Sequence, residues 1–355
     1  MEHDTPKPLT PVKTNKLSHI PSSQQFDLFS SFWGKNVADL SNTIELWDAI
    51  PKYSFTARRQ NKARDEKGRL SVYSYDFLYS KRACRVEIQP ASIKDDDGSF
   101  KDFYPSVDEE LVEEVLRKIF ADQQFGRHDV GATESWVKFS LQMIRKELKK
   151  RGKARSIDEI KRSLDILAKT TISFFVEDDK DPVYINPILS DVTRVSREKY
   201  LNDGTAMWWA KFPALISKSI NALSYRQFNY GKLMHLESQL ARWLHKKLSH
   251  NYTNAHILQP YEILFSTIQR DSGLLTHPRM NANVVACETA LDELKSDPIL
   301  ILLSWSKQER RGLKNKINDI LYTFQPHPDF VSEVKAANAR QRDSLQRFSG
   351  GVKPA

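Results

Sequence analysis

Two stretches of the chain signal a helix start in the same way. Ser106-Val-Asp-Glu109 and Ser156-Ile-Asp-Glu159 are capping boxes. The serine hydroxyl satisfies the third amide of the helix, the glutamate reaches back to the serine amide, and acids in the first turn suit the helix dipole. Behind the first box, Val107, Leu111, Val115, Leu116, Ile119 and Phe120 form one apolar face; behind the second, Ile157, Ile160, Leu164 and Leu167 recur at spacings of three, four and three. Between them, after a glycine-containing loop at 126–131, the inward pattern Trp136, Phe139, Met143 and Leu148 predicts another helix from about Thr133 to Arg151. The β-branched and aromatic run TTISFFV (170–176), a polar turn EDDKDP, then VYINPIL and DVTRV predict two or three strands joined by a hairpin.

Three helices followed by a hairpin is the order of a winged helix, whose third helix reads DNA while the hairpin touches the backbone. A similar order recurs further on. Helices are predicted over about 211–223 and 230–250, the second with Leu233, Leu236, Leu240, Trp243 and Leu244 on one side; a short helix opens at Pro260 and ends near Arg270. After a loop with Gly273 and Pro278, a helix from about Asn281 to Lys295 packs Val284, Cys287, Leu291 and Leu294. ILILLSW, a basic turn and INDILYTF then give strand, wing and strand. As an N-terminal extension of the first unit, Leu70–Phe77 and Ala83–Ile88 alternate as strands, Asp95–Ser99 is a turn, and Ile44, Leu46, Trp47, Ile50 and Phe55 supply anchors for an ordered segment at 42–56. The fold class expected is therefore α+β: two tandem winged-helix domains at 41–205 and 206–335, a flexible N-terminal tail at 1–40 and a mobile C-terminal tail at 336–355.

The 355 residues hold 54 Lys plus Arg against 45 Asp plus Glu, a formal charge of +9. That excess is concentrated. Segments 57–69, 145–155 and 307–316 carry 18 basic and four acidic residues, +14 together, which leaves the remainder of the chain at −5. Clusters of this kind neutralise phosphates and release counterions, the source of non-specific affinity for nucleic acid. Within them and on the two third helices, the candidate DNA contacts are Lys149, Lys150, Arg151, Lys153, Arg155, Lys161, Arg162 and Lys169 in the first unit. In the second they are Arg279, Asn281, Asn283, Arg310, Arg311, Lys314 and Lys316, with Ala286, Thr289, Ala290 and Glu293 also facing outward. Segment 57–69 is left open between a DNA contact and a linker.

Several function classes lack their residues. Two cysteines, Cys84 and Cys287, form no zinc or disulfide pattern, and His235, His245, His250 and His256 fit no metal spacing and are expected at the surface or groove side. Gly231-Lys232 is followed by Leu233 without the upstream glycine of a phosphate-binding loop. The longest apolar run, Ile299–Leu303, is far too short to span a bilayer. The reading is a non-enzymatic, cytoplasmic protein without cofactor or metal, and without a membrane partner. In the N-terminal tail, Gln25-Phe26-Asp27-Leu28-Phe29 resembles the pentapeptide by which bacterial proteins bind the DNA polymerase sliding clamp, with Phe26 in place of the usual leucine. By that resemblance Gln25 anchors one pocket, and Leu28 and Phe29 fill an apolar one.

Five stretches carry a wider resemblance: IELWDAIPKY (44–53), TESWVKFSLQMIRKELKKRGK (133–153), SIDEIKRSLDILAKTTISF (156–174), GKLMHLESQLARWLHKKLSH (231–250) and DILYTFQPHPDFVSEVKAANARQ (319–341). Over roughly residues 40 to 341 the chain resembles iteron-binding plasmid replication initiators of the RepA/TrfA type. The resemblance implies binding of double-stranded origin repeats (iterons) and help in melting an adjacent AT-rich element, where single-stranded origin DNA becomes a partner. It also implies recruitment of the host initiator, replicative helicase and sliding clamp without ATP hydrolysis, a monomer that acts, and a homodimer that regulates copy number. It places Leu233 and Leu240 in a segment once proposed as a dimer zipper in such proteins. The wider apolar stripe argues instead for burial within a domain. The alternative is a winged-helix transcriptional repressor, which has no evident use for a clamp peptide.

Overall fold

A computed structural model describes residues 40–94, 97–122, 124–177, 179–193, 206–312 and 315–349. The tail with the Gln25–Phe29 peptide and Lys314, expected in the second wing, lie outside them. The fold is mixed helix and strand, in two units with separate apolar cores. The first core runs from Ile44 to Met234 and the second from Leu236 to Val334. The change falls inside the helix expected over 230–250. That helix is broken: Tyr230–His235 ends with Leu236 in an extended conformation, and Gln239–Asn251 begins anew with the Ser238 side chain accepting from the Ala241 amide. Leu233 sits in the first core and Leu240 in the second, both buried.

In the first unit both capping boxes form as read, starting the helices Val107–Phe120 and Ile157–Lys169. Between them the expectation of one helix over 133–151 is corrected. Gly126–Asp129 and Glu134–Phe139 form an antiparallel hairpin, and only Leu141–Lys150 is helical, started by Ser140. The physical reason is the alternation in ESWVKF. Ser135, Val137 and Phe139 point into the core while Glu134, Trp136 and Lys138 point outward, and Trp208–Lys211 pairs along the same strand. Gly126 fits because a Cβ there would lie 1.8 Å from the Phe120 carbonyl oxygen. The two strands before the first capping box pair with the pair after the third helix, in the sheet order Tyr73–Tyr79, Arg82–Gln89, Thr171–Val176, Tyr184–Pro187. A further hairpin, Ala91–Lys94 with Phe100–Phe103, surrounds the expected turn and packs on the helix Ile157–Lys169.

In the second unit Tyr261–Leu264 is a strand, where a helix from Pro260 was expected, and the helix Phe265–Ser272 follows. Gly273 stops it at φ +66, and a Cβ there would come within 3.1 Å of Pro51 in the first unit. The helix Met280–Lys295 then leads into Leu302–Arg311 and Ile317–Pro326, ten residues each, in a three-stranded antiparallel sheet with Tyr261–Leu264 pairing to the last strand. Beyond it, residues expected to be mobile continue the helix Pro328–Ser349. That helix buries Phe330, Val331 and Val334 in the second core and crosses to the first unit, where Arg226 donates to Asn338 and Gln341.

The joint between the units is ionic and buried. Arg117 holds Asp48 by two bonds, at 2.7 and 3.1 Å, and reaches Glu114 at 3.5 Å. From the second unit, Lys246 pairs with Asp48 at 3.3 Å and with Glu114, and Arg242, 1% exposed, pairs with Glu110 at 2.9 Å. Burial opposes the charge on Asp48, but Arg117 and Lys246 outweigh it and hold the carboxyl well below the usual carboxylate range. The joint accounts for the burial of Glu110 and Glu114 in the helix 107–120; Glu109 is buried accepting from Ser163 at 2.8 Å, and Glu113 accepting from Trp47 at 2.5 Å and from the Tyr53 hydroxyl.

Candidate nucleic-acid interface

The two third helices occupy corresponding places in their units. In the first unit, the face of Ile157–Lys169 expected to meet DNA is partly covered. Ile166 packs with Ala91 and Ile93 of the added hairpin, the Arg162 guanidinium lies 4.3 Å from the Phe103 ring, and the Lys169 ammonium donates to the Ser92 carbonyl at 3.3 Å. Lys161 is 3.5 Å from Asp158. The first turn, the part of a recognition helix that usually approaches bases, exposes Asp158 and Glu159, and hydrogen bonds to Ser156 hold the Glu159 carboxyl below its ordinary range.

Three basic candidates near this helix are tied to the protein itself. Arg151 is buried, bonding Glu147 at 3.0 Å and lying over the Tyr230 ring; Lys153 is buried against Glu237; Arg155 bonds Asp108 at 2.9 Å. Arg151 and Lys153 are thereby corrected: their charges face protein partners in the joint region. What remains open is the outer face of the helix 141–150, where Arg145, Lys146, Lys149 and Lys150 are exposed in a row at helical spacing. Segment 57–69 is no linker. Ala57–Ala63 is a helix, Arg59 lies over Phe55 and Tyr73, and Arg64 donates twice to the Asp102 carbonyl, while Arg58, Lys62 and Lys67 remain exposed.

The helix Met280–Lys295 presents itself differently. Its first turn holds no acid. Arg279, Met280, Asn281, Val285, Ala286 and Thr289 are exposed. Asn283 is corrected to a structural role: it is 3% exposed, its Oδ1 accepts from the His277 amide at 2.9 Å and its Nδ2 donates to the His277 carbonyl at 2.8 Å, which fixes the preceding loop. Ala290 is buried, and Glu293 turns back to accept from the Ser238 amide at 3.0 Å, capping the helix 239–251. Neither faces outward. Beside the helix the long hairpin buries Leu302, Ile320, Tyr322 and Phe324 in the core and leaves its tip open, with Arg310, Arg311 and Lys316 exposed there. Arg311 pairs with Glu309 and donates to the Asn315 carbonyl at 3.0 Å. Trp305 bonds Asp292 at 2.9 Å and Lys307 pairs with Glu288 at 2.6 Å, so the base of the hairpin is fixed to the rear half of the helix. These bonds neutralise the acids there and leave the front half neutral. Sequence reasoning missed Val285, which adjoins the inward Val284; only helical phase separates them.

Of the four histidines expected at the surface, His235 and His256 are exposed, whereas His245 is fully buried and His250 is half-buried. Burial pushes His245 down to about 3 and His250 down to about 4. Among the described residues no group of three or more His, Cys, Asp or Glu could hold a metal ion, and no helix is long and apolar enough to cross a membrane.

No protein-family model matches the chain, and no curated protein is significantly similar to it. Among solved structures, the chain is similar to domains 2 and 3 of RctB, at 12% identity and a TM-score of 0.46, over 79% of this chain and 97% of that one. A second crystal structure of those RctB domains matches at 11% identity and 0.45, over 77% and 97%. Pi initiator protein in complex with iteron DNA matches at 13% identity and 0.41, over 63% and 95%. Likeness at these scores does not place the chain in a family.

Proposed function

We propose that the chain is a sequence-specific duplex-DNA-binding protein of two winged-helix units that initiates replication at repeated origin sites. The observation that supports DNA binding most is the helix 280–295: an open, acid-free front half beside a protruding basic hairpin. A neutral face of small side chains can enter a major groove about 12 Å wide, and basic groups on a wing meet the flanking phosphates. In the first unit, the row Arg145, Lys146, Lys149 and Lys150 supplies a second phosphate contact. Selection from a random duplex pool with the full chain tests this. Enrichment of one motif of about two helical turns, roughly 20 base pairs, is the expected result; recovery of the unselected pool would overturn it.

The initiator role rests on the sequence resemblance. It predicts direct repeats of the selected motif beside the gene and replication of a plasmid carrying both in a host that depends on the initiator. Failure with an intact repeat array would remove the role and leave DNA binding standing. Melting, recruitment of host initiator and helicase, and a regulatory homodimer belong to the same proposal, as does clamp binding through Gln25, Phe26, Asp27, Leu28 and Phe29. Replacing Leu28 and Phe29 by alanine is expected to abolish clamp pull-down with duplex binding unchanged; retained pull-down would exclude the peptide.

A further inference from the structure

The front half of the helix 280–295 combines exposure with apolar chemistry. Val285 is 62% exposed, an unusual setting for a branched aliphatic side chain in mid-helix. One turn on, Thr289 is exposed, but its hydroxyl donates to the Val285 carbonyl at 2.9 Å, so its one donor is engaged within the helix and its methyl is turned to the outside of that bond. Ala286 is exposed beside them. The result is a run of methyl groups behind Asn281, with Arg279 at the helix start and Arg310, Arg311 and Lys316 on the adjacent hairpin.

A run of methyls needs an apolar partner, and the surrounding cations need an anionic one. The major groove of a thymine-containing duplex supplies both. Each thymine projects a 5-methyl group into the groove, and phosphates line its edges. A protein surface that accepted the methyl run would also have to neutralise Arg279, Arg310 and Lys316, beside Arg311, which pairs with Glu309.

We propose that Val285, with Ala286 and Thr289, determines sequence specificity by taking up the 5-methyl groups of thymines in the bound site. The inference rests on the duplex-binding reading. It deepens that reading by stating what is recognised: a methyl group, by exclusion of water, with no hydrogen bond involved. Asn281, one turn earlier, carries the polar readout.

Deoxyuridine differs from thymidine only by this methyl and so isolates it. After the preferred duplex has been selected with the full chain, each thymine is replaced in turn by deoxyuridine and affinities are measured for the wild type and for Val285→Ala. Burying one methyl is worth about a fourfold change in affinity. The wild type is expected to lose about fourfold at one or two thymines, and V285A to lose no more when the same methyls are removed. Because Val285 is exposed, the melting temperature of V285A should match the wild type, which separates lost contact from lost fold. Indifference of the wild type to every deoxyuridine, or undiminished sensitivity in V285A, would overturn the inference while leaving duplex binding intact. Failure to enrich any duplex would overturn the duplex-binding reading, and the inference with it.

Discussion

The helices 157–169 and 280–295 hold the same position in the order of their units, yet they expose opposite chemistry. The first begins with Asp158 and Glu159 in the open and has a hairpin over part of its outer face. The second begins with Arg279 and Asn281, carries no acid in its first turn, and leaves its front half bare. Carboxylates at a helix start stabilise that helix through its dipole but repel phosphates. The feature that makes the first helix easy to recognise in the sequence is thus a feature that makes it a poor reader of bases. On the proposed DNA-binding reading, the difference assigns a division of labour: the second unit would read sequence, and the first would hold the backbone.

That division requires the two units to keep a fixed relation, and the ionic joint provides it. Removing one partner of a buried pair leaves the other charge uncompensated. Arg117→Ala is therefore expected to cost about 3–5 kcal/mol and to melt both units in one transition in urea. Two separate transitions would show that the units are independent bodies and would undo the comparison.

Acid should weaken the same region. His245 is neutral when folded, with a pKa of about 3, and neither ring nitrogen has a hydrogen-bond partner among the described residues. An unfolded histidine takes a proton near pH 6.5. The unfolded chain thus binds more protons between those values, and stability falls as pH drops below about 6.5, by about 1.4 kcal/mol per pH unit for each such histidine. His250 adds to this down to about 4. Urea midpoints between pH 7 and 5 measure the slope, and His245→Leu should flatten it by about one proton. An unchanged slope would mean that His245 is protonated in the fold.

A smaller effect sharpens the role of the first unit. Lys149→Ala with Lys150→Ala is expected to weaken binding to all duplexes alike and to reduce the salt slope by about one per lysine. A loss confined to the selected sequence would move base reading into this unit.

Much of the architecture was legible in the sequence because its signals are local. Capping boxes need four adjacent residues, and the strands around 73–89 alternate over their own length. What was not legible depended on distant partners. ESWVKF satisfies both a strand and a helix spacing, since Trp136, Phe139 and Met143 lie three and four apart; the strand Trp208–Lys211, some seventy residues later, decides it. The polar helix ending at Ser349 reads as a tail until the strand at 226–229 is placed beside it. At the candidate interface, charge alone misplaced Arg151 and Lys153, whose partners Glu147, Tyr230 and Glu237 come from two helices and a loop. Asn283 lies on the right helix but on its inner side.

The division of labour is tested most directly by the ratio of affinities for the selected duplex and a scrambled duplex of the same composition, measured for two single variants. Asn281→Ala is expected to lower that ratio by about 1–3 kcal/mol with scrambled-duplex affinity unchanged, while Arg162→Ala leaves the ratio within about 0.5 kcal/mol of the wild type. A ratio that collapses in Arg162→Ala and survives in Asn281→Ala would contradict the account.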